Sequence, residues 1–302
     1  MPVEGYKEHL ELTLSIGCQA QCQYCPQDLF TKTYLKTCKN NIRHMTLDMA
    51  KKYLKTVPKK LIISMAGFSE PLTNPEVMDI FEWIKSDGRE VEMNTTLYKV
   101  KRETLRRLMN NEINLFQLHL PDDSNLTEIV VDEEYLHSLK YVFNKLKSKT
   151  NTYTIVTCLG NLHPDVKEIV DKHQNLVNGM NVGQHFINDR AGLITNGLAF
   201  ESRHLKGEVH CCKTYRNLHY MNILPDGRVT LCCMDWGLNN IVGDLNDESY
   251  EGIVKGNDAE EIRRKMTEYD NDLICRNCEF AVSGEPPSKY PELSLFPNHL
   301  NY

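Results

Sequence analysis

Cysteine is the residue type here whose number and placement could do chemistry. Eleven cysteines occur in 302 residues. The N-terminal stretch carries no apolar signal segment, so an odd count argues against a disulfide scaffold and for metal-ligating or buried apolar thiols. Three of them form Cys18-Gln-Ala-Gln-Cys22-Gln-Tyr-Cys25-Pro26, a C-x3-C-x2-C run. Thiols this close on one loop can wrap a cubane and ligate three of its irons, leaving the fourth iron open. A zinc site instead needs four ligands, and Cys38 or His44 could complete one. Six more cysteines lie between residues 211 and 278. Cys212 and Cys232 flank a Pro225-Asp226-Gly227 turn, and Cys275-Arg-Asn-Cys278 follows about forty residues later. Four thiolates can fully ligate one [4Fe–4S] cluster, or close a structural zinc ribbon.

These thiols need elements to hold them. Residues 9–16 alternate polar and apolar and read as a strand ending just before Cys18, followed by a long polar loop. Helical spacing then predicts a helix over 47–57, stopped by Pro58. Strands at 61–65, 90–94, 113–120, 152–159 and 180–186 alternate with helices at 76–86, 101–110, 132–147 and 164–173. Six strands in sequence with helices between them predict a parallel sheet covered by helices. Past about residue 190 the alternation breaks into a hairpin (218–224 and 229–232) and a helix near 258–268. The expected organisation is a barrel-like unit over 1–194, a cysteine-rich module over 195–282 and a proline-containing tail over 283–302.

The N-terminal motif resembles the signature of the radical SAM superfamily (SAM, S-adenosylmethionine), and the likeness extends to about residue 280. The resemblance implies a partial (β/α)6 TIM-like barrel with its site at the C-terminal ends of the strands. It also implies a [4Fe–4S] cluster on Cys18, Cys22 and Cys25, whose open iron takes the amino and carboxylate groups of SAM. One electron into the sulfonium would release methionine and a 5′-deoxyadenosyl radical. Tyr24 falls within this motif. Gly67-Phe-Ser69-Glu70-Pro71 resembles the Gly-Gly-Glu-Pro segment that receives the SAM ammonium, with Ser69 where glycine is usual; the alternative for Glu70 is a solvated loop acid. Asn94-Thr95-Thr96 resembles the segment that meets the SAM ribose and methionine, where Thr-Asn-Gly is usual. His119 stands where relatives place a polar SAM contact, unless it is a satisfied core histidine. Arg190 follows the sixth strand and could hold a carboxylate of SAM or substrate bidentately, or lie on the surface.

The C-terminal cysteines resemble the auxiliary-cluster extension of the SPASM/twitch branch. No cysteine follows Cys278, so the resemblance favours the single-cluster twitch form, with Cys212, Cys232, Cys275 and Cys278 as ligands. Family spacing of glycine, four residues, cysteine selects Cys232, with Cys233 on the other face of its strand. Cys38, Cys158, Cys211 and Cys233 remain as buried thiols, one of which could donate a hydrogen atom.

An auxiliary cluster that takes an electron from a substrate radical suits oxidation, as in twitch-type aminocyclitol dehydrogenases. Seventeen residues before Cys18 leave no room for a peptide-recognition domain, which favours a small sugar, cyclitol or nucleotide derivative. The alternatives are a radical epimerase with a cysteine hydrogen donor, a peptide- or protein-modifying maturase, and a non-enzymatic iron–sulfur or zinc scaffold. A flavodoxin- or ferredoxin-type reductase is the expected electron donor. Net charge of −6 gives no basic field for long nucleic acid or a membrane surface, and no run reaches transmembrane length. A cytoplasmic oxidoreductase is the expectation.

Overall fold

The computed structural model describes residues 9–38, 40–183, 187–198, 203–211 and 221–284. Cys212, positions 184–186 of the expected sixth strand, 218–220 of the expected hairpin and the tail from 285 lie outside the described residues.

Six strands, β1 (His9–Leu12), β2 (Ile62–Met65), β3 (Val91–Thr95), β4 (Leu115–His119), β5 (Tyr153–Cys158) and β6 (Gly179–Val182), lie side by side in chain order, all parallel. The helices between them are α1 (Gln27–Thr37), α2 (Leu47–Leu54), α3 (Val77–Ser86), α4 (Arg102–Asn110), α5 (Glu133–Leu146) and α6 (Pro164–Lys172). This is the partial (β/α)6 barrel. Strand periodicity sorts its two faces: in β4, Phe116 and Leu118 are buried against the helices, while Leu115, Gln117 and His119 alternate onto the concave face. Each large apolar side chain taken from water into that outer core contributes about 1.5–3 kcal/mol. Helix starts are set locally. Thr46 accepts from Met49 N at 3.3 Å, Asp132 accepts from Tyr135 N at 2.8 Å, and Pro164 sits in the first turn of α6.

The expected long polar loop after Cys25 is instead α1. Its apolar content is thin, but Phe30 and Tyr34 are four residues apart and fully buried, which is enough to seat a helix among lysines and threonines. The first strand is shorter than expected, because residues 14–16 leave β2 and bond to the 43–45 segment (Met45 N to Leu14 O 2.9 Å, Ile16 N to Arg43 O 2.9 Å).

The strands past residue 195 fall in two sheets. β7 (Val209–Cys211) pairs with the late strand β11 (Ala281–Ser283). The hairpin strands β8 (Asn222–Ile223) and β9 (Arg228–Thr230), with β10 (Ile241–Asp244), extend the barrel sheet beyond β1. β8 runs parallel to β1, with Glu11 opposite Asn222 and Leu12 opposite Ile223. Two helices follow, α7 (Tyr250–Lys255) and α8 (Asn257–Thr267), where one was expected. The nine-stranded sheet thus draws the C-terminal part onto the strand that feeds the first cysteine loop. No helix among the described residues is long and apolar enough to cross a membrane.

Candidate functional site

Cys18, Cys22 and Cys25 occupy the loop between the end of the β1 segment and α1, at the C-terminal edge of the barrel. The loop is anchored on the turn after β4: Gln23 N donates to Leu126 O at 2.8 Å, and the Cys22 thiol lies 3.7 Å from Thr127 O. Asp122 shapes that turn by accepting from the backbone N of Ser124, Leu126 and Thr127. Tyr24 is buried against Leu126, Leu159 and Ile187. The Cys22 and Cys25 thiols share a hydrogen bond, which pushes Cys22 up and brings Cys25 down to about 7; the Arg190 charge adds to the lowering at Cys25. Burial, followed by the nearby Glu70 charge, pushes Cys18 up to about 11. The two candidates for a fourth zinc ligand are engaged elsewhere. His44 bonds Ser15 Oγ at 2.9 Å, and Cys38 lies 4.0 Å from Ile42 O. Among the described residues, no group of three or more His, Cys, Asp or Glu side chains is gathered as around a single metal ion.

The second loop, 67–71, packs against the first. Gly67 has φ +73°, and a Cβ there would meet Thr13 Oγ1 at 2.2 Å and Asn222 Nδ2 at 2.4 Å, so only glycine fits. Gln27 Nε2 of α1 donates to Phe68 O. Glu70 is not a solvated loop acid. It is 4% exposed, and its carboxylate takes four donors: Leu72 N (3.2 Å), Thr95 Oγ1 (2.7 Å), Thr96 N (2.8 Å) and Thr96 Oγ1 (2.8 Å). Burial raises the carboxyl and these four donors pull it back. Thr95 is committed in the same way, since its hydroxyl also accepts from Leu97 N at 3.0 Å. Glu70 and Thr95 therefore pin the β2 and β3 loops together. Free capacity lies beside them: Ser69 Oγ and Asn94 Oδ1 are buried without a partner among the described residues.

His119 ends β4 on the concave face. Burial, and then the Arg190 charge, hold its imidazole down to about 4, so it is neutral at pH 7. Arg190 is half-buried rather than on the surface, with Nε 3.5 Å from Tyr24 O and its guanidinium 5.6 Å from the Trp236 ring centre. Asn94, expected at the SAM segment, lines the same face with further polar side chains, Ser64, Gln117, Thr157 and Asn181, that no motif marks. Asn94 Nδ2 donates to Ser64 Oγ at 3.3 Å, and Gln117 Nε2 to Thr157 Oγ1 at 3.0 Å. Asn181 is 4% exposed, and its Oδ1 has no partner among the described residues. Their signal was present in sequence as polar residues alternating with apolar ones in β3 and β4. Further down, His9 Nδ1 pairs with Glu92 Oε2 at 3.0 Å, and Thr13 Oγ1 donates to Asn222 Oδ1 at 2.9 Å.

The C-terminal thiols meet across chain segments. Cys232 is pushed up by burial and by its neighbours Cys233, Cys275 and Cys278, and Cys275 by burial and by Cys211 and Cys278. β9 ends at Thr230, so Cys232 and Cys233 lie in the turn beyond it. Strand alternation therefore does not separate them, contrary to expectation. Cys211 ends β7 and neighbours Cys275, while Cys212 lies outside the described residues. Cys158 is on the helix-facing side of β5, opposite in phase to Thr157, and is packed in the outer core.

A family model described as the Radical SAM superfamily matches residues 12–173, more than half of the chain. The chain belongs to the radical SAM superfamily. A second model, SPASM, an iron–sulfur cluster-binding domain, matches residues 211–279. No curated protein matches the sequence. Among solved structures, BtrN in complex with AdoMet and 2-DOIA is similar at 14% identity, covering 88% of this chain and 89% of that one with a TM-score of 0.52. SuiB of Streptococcus suis, bound to precursor peptide SuiA, is similar at 13% identity, covering 91% of this chain and 70% of that one with a TM-score of 0.59. These likenesses show the fold. Family membership makes the chain an enzyme and sets aside the scaffold reading; its cofactors are SAM, the [4Fe–4S] cluster that binds it and an auxiliary iron–sulfur cluster.

Proposed function

We propose that the chain oxidises a small polar substrate by hydrogen abstraction, with Cys18, Cys22 and Cys25 holding the SAM-binding cluster. The donor set fits: three free thiols share one loop, packed against apolar groups, beside a crowded glycine loop with an orphaned hydroxyl. When bound and reduced, that cluster supplies the electron that cleaves SAM to methionine and a 5′-deoxyadenosyl radical. The 67–71 loop and Asn94 then receive the SAM polar groups through backbone, Ser69 Oγ and Asn94 Oδ1, while Glu70 and Thr95 hold those loops in register. Tyr24, packed with Leu126, Leu159 and Ile187, keeps water from the cysteine loop. His119 offers a neutral imidazole, and Arg190 a fixed positive charge, at the mouth of the concave face.

One observation carries the choice of oxidation over epimerisation. Cys158, the cysteine on the barrel strands and the first candidate hydrogen donor, faces the helix layer and not the concave face. Cys232, Cys275 and Cys278, with a fourth thiolate from Cys212 or its neighbour Cys211, instead suit a fully ligated auxiliary cluster that accepts the second electron. The polar concave face, where Asn181 Oδ1 has no partner among the described residues, suits a hydroxylated or aminated molecule such as a sugar, cyclitol or nucleotide derivative. A reductase of the flavodoxin or ferredoxin class would supply the first electron.

The test is anaerobic reconstitution with a library of metabolites and short peptides, following 5′-deoxyadenosine and product mass in heavy water. Oxidation predicts a product two mass units lighter, without solvent deuterium. An isobaric product carrying one deuterium would establish epimerisation instead, and turnover confined to peptides would establish a maturase.

A further inference from the structure

The turn after β6 touches both cysteine sites. Arg190 and Ala191 have φ of +50° and +57°, a left-handed conformation that costs non-glycine residues about 1–3 kcal/mol each unless the surroundings impose it. Here they do. Asn188 Oδ1 accepts from Arg190 N at 3.3 Å, Asp189 Oδ1 accepts from Ala191 N at 3.0 Å, and Ile194 N donates to Asp189 O at 3.0 Å. On one side, Asp189 N donates to Glu279 Oε2 at 3.1 Å, next in sequence to Cys278, and Ala191 packs with Cys278 and Met234. On the other, Arg190 Nε reaches the backbone O of Tyr24, next in sequence to Cys25, at 3.5 Å, and so brings its charge beside that thiol. Its guanidinium lies over Trp236, which in turn packs edge-on against Phe68 of the glycine loop (5.0 Å) and Phe30 of α1 (6.1 Å). Trp236 therefore clamps the arginine from behind, and the strained turn fixes it from below.

We propose that Arg190 is a positioning residue that sets the reduction potential of the N-terminal cluster selectively, by holding a permanent positive charge against Cys25. This rests on the reading that Cys18, Cys22 and Cys25 hold that cluster. Reduction moves one electron from the reductase onto the cluster, [4Fe–4S]2+ becoming [4Fe–4S]1+, with no bond made or broken. The added negative charge is stabilised by a nearby cation, strongly so where water is excluded. Arginine keeps its charge at any working pH. The C-terminal site meets the same turn through the Asp189 backbone N–H and the Ala191 methyl, so its potential should not depend on the Arg190 charge.

The experiment is a redox titration of the full chain with both clusters reconstituted, read by electron paramagnetic resonance without SAM. A Cys275→Ala background assigns the N-terminal midpoint by removing the second signal. Arg190→Gln should lower that midpoint, cutting the reduced-to-oxidised ratio at fixed potential about tenfold, or about 59 mV for a one-electron couple. Arg190→Lys should stay near wild type, and the C-terminal midpoint should hold in both. If Arg190→Gln does not assemble its cluster, Trp236→Leu, which loosens the clamp and leaves all three ligand cysteines in place, should give a smaller shift in the same direction. An unchanged N-terminal midpoint, an equal fall in Gln and Lys variants, or a parallel fall of both clusters would overturn the proposal. Full iron retention in a Cys18, Cys22, Cys25 triple Ala variant would instead overturn the underlying reading of the site, and the proposal with it.

Discussion

The two cysteine sites are built in opposite ways. The N-terminal one is local: three thiols within eight residues on one loop, set between β1 and α1. The C-terminal one is assembled by the fold, from the end of β7, the turn beyond β9 and the Cys275–Cys278 segment before β11. The local site owes its ligand geometry to a short loop, and its depth to what packs on it: the Asp122 turn, the glycine loop and the Trp236–Arg190 clamp. The assembled site needs the two-stranded β7–β11 sheet to be brought against the turn beyond β9 of the nine-stranded sheet first. Damage to the first should therefore remove chemistry while leaving the fold; damage to the second should disturb chemistry and local structure together.

The largest expected contrast comes from cutting the assembled site alone. Cys275→Ala or Cys278→Ala should abolish product formation while 5′-deoxyadenosine continues to appear uncoupled from it, as quantified by chromatography of anaerobic reactions. Product formation at the wild-type rate would show that the second site is not in the electron path.

A smaller effect is expected within the first site's supporting loops. Glu70→Gln replaces an acceptor facing four donors with a group that must turn an N–H₂ toward some of them, and should cost about 1–3 kcal/mol of unfolding free energy. SAM affinity, followed by calorimetry, should fall with it. Thr95→Val, which removes the hydroxyl between Glu70 and Leu97 N, should shift stability and affinity in the same linked way. A loss of affinity with no change in thermal stability would return both side chains to direct contact with SAM.

Much of this was legible in the sequence because it is local. Strand and helix alternation from 61 to 173 follows two periods that hydrophobicity alone displays, and Cys18, Cys22 and Cys25 announce themselves by spacing. α1 was not legible: two buried aromatics four residues apart are a weak periodic signal among threonines and lysines. Nor was the parallel pairing of β8 with β1, because Asn222 and Glu11 are 211 residues apart and only tertiary assembly makes them neighbours. Separation in sequence likewise hid the contacts of Arg190 with Tyr24 and Trp236, and the choice among doubled cysteines. Glu70 was found by its motif, but its role depends on Thr95 and Thr96, which reach it only once β2 and β3 lie side by side.

The smallest effect concerns His119. Its folded pKa, about 4, lies below the ordinary 6.5, so the folded state binds fewer protons there than the unfolded chain. The stability this contributes is present above about pH 6.5 and is lost as pH falls toward 4. His119→Gln should flatten the pH dependence of the melting temperature over that window and leave it unchanged above pH 7. An ionisation near 6.5 that disappears in the variant would show that His119 is exposed to water and not held neutral by burial and Arg190.

The central claim, that the local thiols hold the cluster that cleaves SAM and the assembled ones hold another, is tested most directly by counting iron alongside SAM cleavage. Wild-type chain reconstituted anaerobically should hold about eight irons and release 5′-deoxyadenosine on reduction. The Cys18, Cys22, Cys25 triple Ala variant should hold about four irons, with wild-type secondary structure by circular dichroism, and release none. A triple variant that keeps all its iron, or still forms 5′-deoxyadenosine, would contradict the account.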